Sequence, residues 1–158
     1  MVVERLSNGE RFTFSFLILH SLFLIPKPSL MENKLQKFDL EDRLVDFACK
    51  CLDICDLLPH SRAGQNLEYQ LSKSGTAPAL IYGEAQAAES RADFLHKMKL
   101  VLKEIKETRI NLKIIIKKPL VTDERVGIAF SEANELMAIF IKSIETAKSG
   151  TEEIRNKK

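Results

Sequence analysis

The sequence has few of the residues that turn a chain, with six glycines and five prolines among 158 residues. An all-β protein of this length would need many more turns, so these counts favour helices. The net charge is only +2, so no overall field favours nucleic acid or a membrane surface. Any electrostatic attraction must therefore come from local charge patterning. Apolar residues make up 45% and charged residues 29%, a mixture typical of one folded domain.

Cysteine is also scarce, because Cys49, Cys51 and Cys55 are the only ones and lie close together. Such spacing does not suit a disulfide framework and indicates a reducing compartment, so we expect a cytoplasmic protein. A metal site would need more ligands, and His60 is the only histidine nearby. Cys51 and Cys55 lie one helical turn apart on an apolar stripe, so we interpret them as small core residues.

Motifs for catalysis are missing as well. No Gly-rich phosphate loop and no nucleophile elbow occurs, and Asp93 and His96 share a predicted helix without an activated nucleophile. A di-metal carboxylate site in a helical bundle would need Glu-x-x-His on two helices, and the sequence contains no such motif. We therefore expect no enzyme activity, no metal, no cofactor and no small-molecule substrate.

The most apolar stretch is FTFSFLILHSLFLI, residues 12–25, which is only 14 residues long. A membrane-spanning helix needs about 20 such residues, and a signal peptide needs a cationic start and a small-residue cleavage site. The composition changes at Met31, where regular helical phasing begins. We expect residues 1–30 to be a non-native or disordered N-terminal extension, and no membrane partner. The alternative is a membrane-associated N-terminal segment.

Four later segments carry apolar residues at the three- and four-residue spacing of an amphipathic helix. The predicted helices cover about 40–58, 64–87, 90–117 and 123–147. Asp39, Ser90, and either Thr122 or Asp123 are expected to cap the first, third and fourth helices. Short connections favour antiparallel neighbours, so the sequence predicts an all-α, up-and-down antiparallel four-helix bundle over residues 31–150.

Two places in these helices need further interpretation. The second helix has a face of small residues that includes Ser74, Ala77 and Ala85, so a neighbouring helix can approach closely. Pro78 in the same helix predicts a kink or a break, because its ring removes one backbone donor. Ser149-Gly150 is expected to end the fourth helix and to leave residues 151–158 as a polar tail.

The apolar stripes of three helices are predicted from this spacing. The stripe of the first helix is Leu40, Leu44, Phe47, Cys51, Ile54 and Leu58. The stripe of the third helix is Phe94, Met98, Val101, Ile105, Thr108, Leu112 and Ile115. The stripe of the fourth helix is Val126, Phe130, Ala133, Met137, Phe140 and Ile144.

The second and third helices carry a specific pattern, QLSKSGTAPALIYGEAQAAES followed by ADFLHKMKLVLKEIKETRINLKII. This pattern resembles the four-helix-bundle family of 23S rRNA intervening-sequence proteins, and the resemblance covers residues 35–148. The matching residues are Gln70-Leu71, Ser74-Gly75-Thr76, Tyr82, Glu84-Ala85, Ser90, Asp93-Phe94, His96-Lys97, Leu102-Lys103-Glu104 and Glu107-Thr108.

The resemblance implies a bacterial cytoplasmic protein that forms a homo-oligomer, with ring-like pentamers among related bundles. One related branch comprises the accessory proteins of diversity-generating retroelements, which implies RNA or a reverse-transcriptase-like protein as partner. The family brings no established catalytic residues. Ile81 and Ala77 stand where the family usually has asparagine and serine, so polar groups are missing from the second helix here.

A row of lysines on the third helix is the candidate nucleic-acid-binding surface. Its members are Lys99, Lys103, Lys106, Lys113 and Lys117. They fall within an arc of about 80° opposite the apolar stripe, and such a row can follow a phosphate backbone. The alternative is an ordinary solvated face, since Glu104 and Glu107 are nearby.

A second hypothesis is a protein-interaction scaffold or accessory subunit without affinity for nucleic acid. Its candidate contact residues, for an oligomer or another partner, are Leu52, Leu80, Tyr82, Glu84 and Ile110. Glu84 is also expected to bond a basic residue such as Arg91 or His96 across a helix contact.

Overall fold

The computed structural model of the protein describes residues 39–156, with side chains described through residue 149. This part of the chain contains helices and no strand. The helices are α1 (Leu40–Cys55), α2 (Arg62–Gln86), α3 (Arg91–Lys117) and α4 (Glu124–Asn156). Each helix packs on the next, and α4 returns to α1, which confirms the predicted up-and-down four-helix bundle. The expected extension over 1–30 and its membrane-associated alternative lie outside the described residues.

Polar side chains at the predicted positions cap the helix starts. The carboxylate of Asp39 accepts the backbone N–H of Glu41 at 3.0 Å, and the hydroxyl of Ser90 accepts that of Asp93 at 3.1 Å. Of the two candidates before α4, Asp123 accepts the backbone N–H two residues further on, at 2.9 Å. These bonds satisfy N–H groups that have no partner inside the helix.

The core lies on the predicted stripes of α1 and, for the most part, of α3. In α4 four of the six predicted residues are buried, but Ala129 and Leu136 are fully buried where Phe130 and Met137 were expected, and these two are only half-buried. Both sets fit the helical spacing. α4 packs more extensively on α3 than on α1, which favours the seam facing α3. The guanidinium of Arg109 on α3 lies over the Phe130 ring, 5.3 Å from the centre of the ring, at the edge of this seam.

The small face of α2 meets α1 closely, as predicted. A Cβ added at Gly75 would lie 2.6 Å from the Cβ of Cys51, which is nearer than real Cβ atoms approach. Of the predicted kink or break at Pro78, the break is wrong, since α2 runs through it without interruption. Pro78 is buried, and burial of the helix on both sides of it offsets one missing backbone bond.

Two helix ends differ from the prediction. α1 ends at Cys55 and not near Leu58, because i to i−3 bonds such as the one from the Leu58 N–H to the Cys55 carbonyl tighten the chain. α4 continues to Asn156, past Ser149-Gly150. A single glycine costs a helix about 1 kcal/mol and does not by itself end it. No helix within 39–156 is both long and apolar enough to cross a membrane.

Candidate functional site

The basic face of α3 is formed by the five lysines that the sequence singles out. All are exposed: Lys99, Lys103, Lys106, Lys113 and Lys117. From first to last the row rises about 27 Å along the helix. Lys103 has its amine 3.5 Å from the carboxylate of Glu104. No other carboxylate of the described residues lies within ion-pair distance of any of these amines, so they are open to an anionic partner.

An apolar residue interrupts this face. The lysines follow one another at alternating intervals of four and three residues. This alternation predicts one more member between Lys106 and Lys113. That position is Ile110, whose exposed fraction is 48%. The lysine row and Ile110, which the sequence assigned to two competing hypotheses, therefore share one surface.

A shallow open groove lies at the C-terminal end of the same face. Its lining residues are Ile110, Lys113, Ile114, Lys117 and Lys118. Sequence reasoning did not pick out Ile114, because it sits in a run of three isoleucines of which only Ile115 is buried. Its spacing of four residues from Ile110 is the signal that could have found it. The groove combines two apolar and three cationic side chains, a chemistry that suits an acidic and partly apolar partner.

Charge is segregated between the helices of the bundle. α3 carries eight Lys and Arg residues against three Asp and Glu, whereas α1 carries four acidic residues against two basic ones. The small net charge of the whole chain conceals this difference. The outer surface of α3 is therefore positive and that of α1 negative.

The other predicted contact residues do not form one patch. Leu52, Leu80 and Ile110 are exposed by 42%, 69% and 48%, but they belong to α1, α2 and α3 respectively. Leu52 and Ile110 lie on helices at opposite corners of the bundle, because α1 and α3 each pack on α2 and α4.

Tyr82 and Glu84 have partners inside the molecule. The Tyr82 ring is half-buried and meets the ring of Phe140 edge-on, with 5.9 Å between their centres, and burial raises the pKa of its hydroxyl. The Glu84 carboxylate accepts a hydrogen bond from the amine of Lys97 at 3.1 Å. This bond raises the pKa of Lys97. A basic partner was predicted for Glu84, but the observed one is Lys97 and not Arg91 or His96.

The cysteines behave as core residues where they face inward. Cys51 and Cys55 are buried, as predicted, and Cys49 is exposed. Burial raises the pKa of Cys51 to about 12 and that of Cys55 to about 11, so both thiols stay protonated and unreactive at neutral pH. Among residues 39–149, no group of three or more metal-binding side chains comes together.

No protein-family model and no curated protein matches the chain. Among solved structures, it is similar to the crystal structure of a protein of unknown function from the S23 ribosomal protein family of Bacteroides thetaiotaomicron. The two share 27% sequence identity with a TM-score of 0.62, over 67% of this chain and 98% of the other. This likeness supports, at a coarse level, a relationship to a ribosomal-protein family of small helical bundles.

Proposed function

We propose that the chain is a non-catalytic bacterial cytoplasmic bundle that binds RNA or a ribonucleoprotein along the basic face of α3. The observation that supports this proposal most is the exposed lysine row, whose amines can replace the counterions of a phosphate backbone. The sequence resemblance to 23S rRNA intervening-sequence proteins supports an RNA partner and a homo-oligomer such as the ring-like pentamers of related bundles. The S23 ribosomal protein family of the structural neighbour is consistent with the same partner class.

The test is binding of the full chain to structured bacterial RNA across a salt series. One variant carries Lys99→Gln, Lys106→Gln and Lys113→Gln. Its control carries Lys73→Gln, Lys142→Gln and Lys148→Gln, three exposed lysines on α2 and α4, so that both variants lose the same charge.

We expect the α3 variant to bind more weakly and to show a salt dependence shallower by about two to three in log–log slope. The control should keep nearly the wild-type slope, because its lysines lie off the basic face. Equal weakening of both variants, or no binding of the wild type at low salt, would contradict the proposal.

A second candidate is a protein-interaction scaffold or accessory subunit without affinity for nucleic acid. Ile110 and Ile114 favour it, since an exposed isoleucine gains nothing from a phosphate but does gain from an apolar partner surface. Absorbance of the purified protein at nucleic-acid wavelengths separates the two candidates. Co-purifying nucleic acid that a high-salt wash removes supports the first, and its absence before any wash supports the second.

A further inference from the structure

The exposed lysines of α3 fall into two groups with an uncharged gap between them. The first lysine group is Lys99, Lys103 and Lys106, and the second is Lys113, Lys117 and the C-cap residue Lys118. Lys118 joins the second group because it lines the same groove as Lys113 and Lys117. The gap from Lys106 to Lys113 rises about 10 Å along the helix, and the middle members Lys103 and Lys117 are about 21 Å apart along it.

The gap itself is apolar and has a carboxylate beside it. Ile110 occupies its middle and is 48% exposed. Glu107 stands three residues before Ile110 and is therefore its neighbour on the helix surface, where its negative charge repels a phosphate. Ile114, one turn after Ile110, continues the apolar strip into the groove. Phosphates therefore fit at the two ends of this surface and not in its middle.

This surface also has no ring on which a base could stack. Within residues 39–149 the only exposed aromatic side chain is Tyr69, and it belongs to α2. Proteins that bind single-stranded RNA combine a basic groove with aromatic side chains that stack on unpaired bases. A single strand that followed α3 would also place phosphates against the gap. Both features favour paired RNA.

Double-stranded RNA carries its charge in the arrangement that the two lysine groups require. Its two phosphate backbones border a wide, shallow minor groove, which displays ribose hydroxyls and base edges. Its major groove is narrow and deep, so the two strands approach each other there and would bring phosphates opposite Ile110. We propose that α3 lies across the minor groove of double-stranded RNA, with one lysine group on each strand and Ile110 over the riboses between them.

This inference rests on the proposed function and names the form of RNA that the surface binds. Contacts between lysine and phosphate carry no sequence information, so the binding depends on the shape of the duplex and not on its sequence. Each lysine group neutralises phosphates of one strand only, and this division can be tested from the side of the RNA.

Neutralising one strand of the RNA tests the contact with both strands. The full chain is titrated across a salt series with an RNA duplex of about 16 base pairs, the length that known double-stranded-RNA domains span. A second duplex has uncharged methylphosphonate linkages in one strand, and a third probe is the unmodified strand alone.

The duplex with one neutral strand should show a log–log salt slope shallower by about two to three, because one lysine group then faces no phosphate. The single strand should bind at least about tenfold more weakly than the unmodified duplex at the same salt, since it offers phosphates to one group at a time.

The variant Ile110→Lys tests the gap from the side of the protein. It completes the alternation of lysines, and its control is Ile128→Lys, which adds the same charge at an isoleucine of α4 that is 52% exposed. Over a groove the new lysine meets no phosphate, so the salt slopes of the two variants on the unmodified duplex should agree. A slope steeper by about one for Ile110→Lys alone would place a phosphate at the gap and overturn the inference.

The remaining outcomes separate this inference from the proposed function. An unchanged slope with the half-neutral duplex, or a single strand that binds as tightly as the duplex, would overturn the inference and leave RNA binding by the basic face of α3 intact. No salt-dependent binding to any of the three probes would overturn both.

Discussion

At the scale of single residues, three neighbouring cysteines have different surroundings. Cys49 faces water, whereas Cys51 and Cys55 lie in the core, and burial raises the pKa of both of these thiols. Helical spacing alone predicted this division, since it places Cys51 and Cys55 on the apolar stripe. Because of these raised pKa values, the stability of the bundle changes with pH in the alkaline range.

We expect the free energy of unfolding to fall as pH rises above about 9, the ordinary thiol value. The unfolded chain then releases the Cys51 proton while the folded one retains it until about pH 12, so thiolate formation favours unfolding. For Cys51 the loss is about 2 kcal/mol by pH ~10.5. Urea unfolding of the wild type and of Cys51→Ala at about pH 8 and ~10.5 measures it. The variant should lose less between the two pH values, and identical losses would count against the burial of the thiol.

Side-chain partners were harder to foresee than burial. The hydroxyl of Ser74, on the small face of α2, accepts a hydrogen bond from the side-chain amide of buried Asn111 at 3.2 Å. Nothing in the sequence of α3 marks Asn111 as buried, because it stands beside the apolar stripe and not on it. Such a pairing depends on the level at which two helices meet, and one helix's periodicity carries no information about that level.

At the scale of helices, the existence and phasing of all four elements could be predicted, while the C-terminal ends of α1 and α4 and part of the seam of α4 could not. Pro78 shows why, since local propensity argued for a break and tertiary burial kept α2 continuous. The seam of α4 depends on which neighbour it packs against most, and two arcs of the helix fit the spacing equally well.

The close approach of α1 and α2 at Gly75 leads to a prediction at this scale. Gly75→Ala should destabilise the bundle by about 1–3 kcal/mol, because the new Cβ would meet the Cβ of Cys51 at 2.6 Å and force the helices apart. The matched control is Gly83→Ala in the same helix, where the added Cβ would meet no atom outside its own stretch of helix within 4 Å. It should stabilise by about 0.5–1 kcal/mol through helix propensity.

Chemical denaturation of both glycine variants measures these changes. A Gly75→Ala protein as stable as Gly83→Ala would show that the two helices are not in close contact there.

At the scale of the whole molecule, charge distribution matters more than net charge. The basic face of α3 could be predicted from the sequence, because it lies on one helix. The level at which α1 and α3 meet across α2 could not, since it is fixed by the packing of Cys51 and Thr108 around Gly75.

The most direct test of the basic face of α3 as the binding surface is amine labelling followed by mass spectrometry. Labelling rates are compared for the protein alone and for the protein with structured RNA at low salt. We predict slower labelling of Lys99, Lys106 and Lys113 when RNA is present, because bound phosphates cover their amines. Lys73 and Lys142 should label at an unchanged rate. Unchanged rates on α3, or equal protection of the two control lysines, would contradict this role of the face.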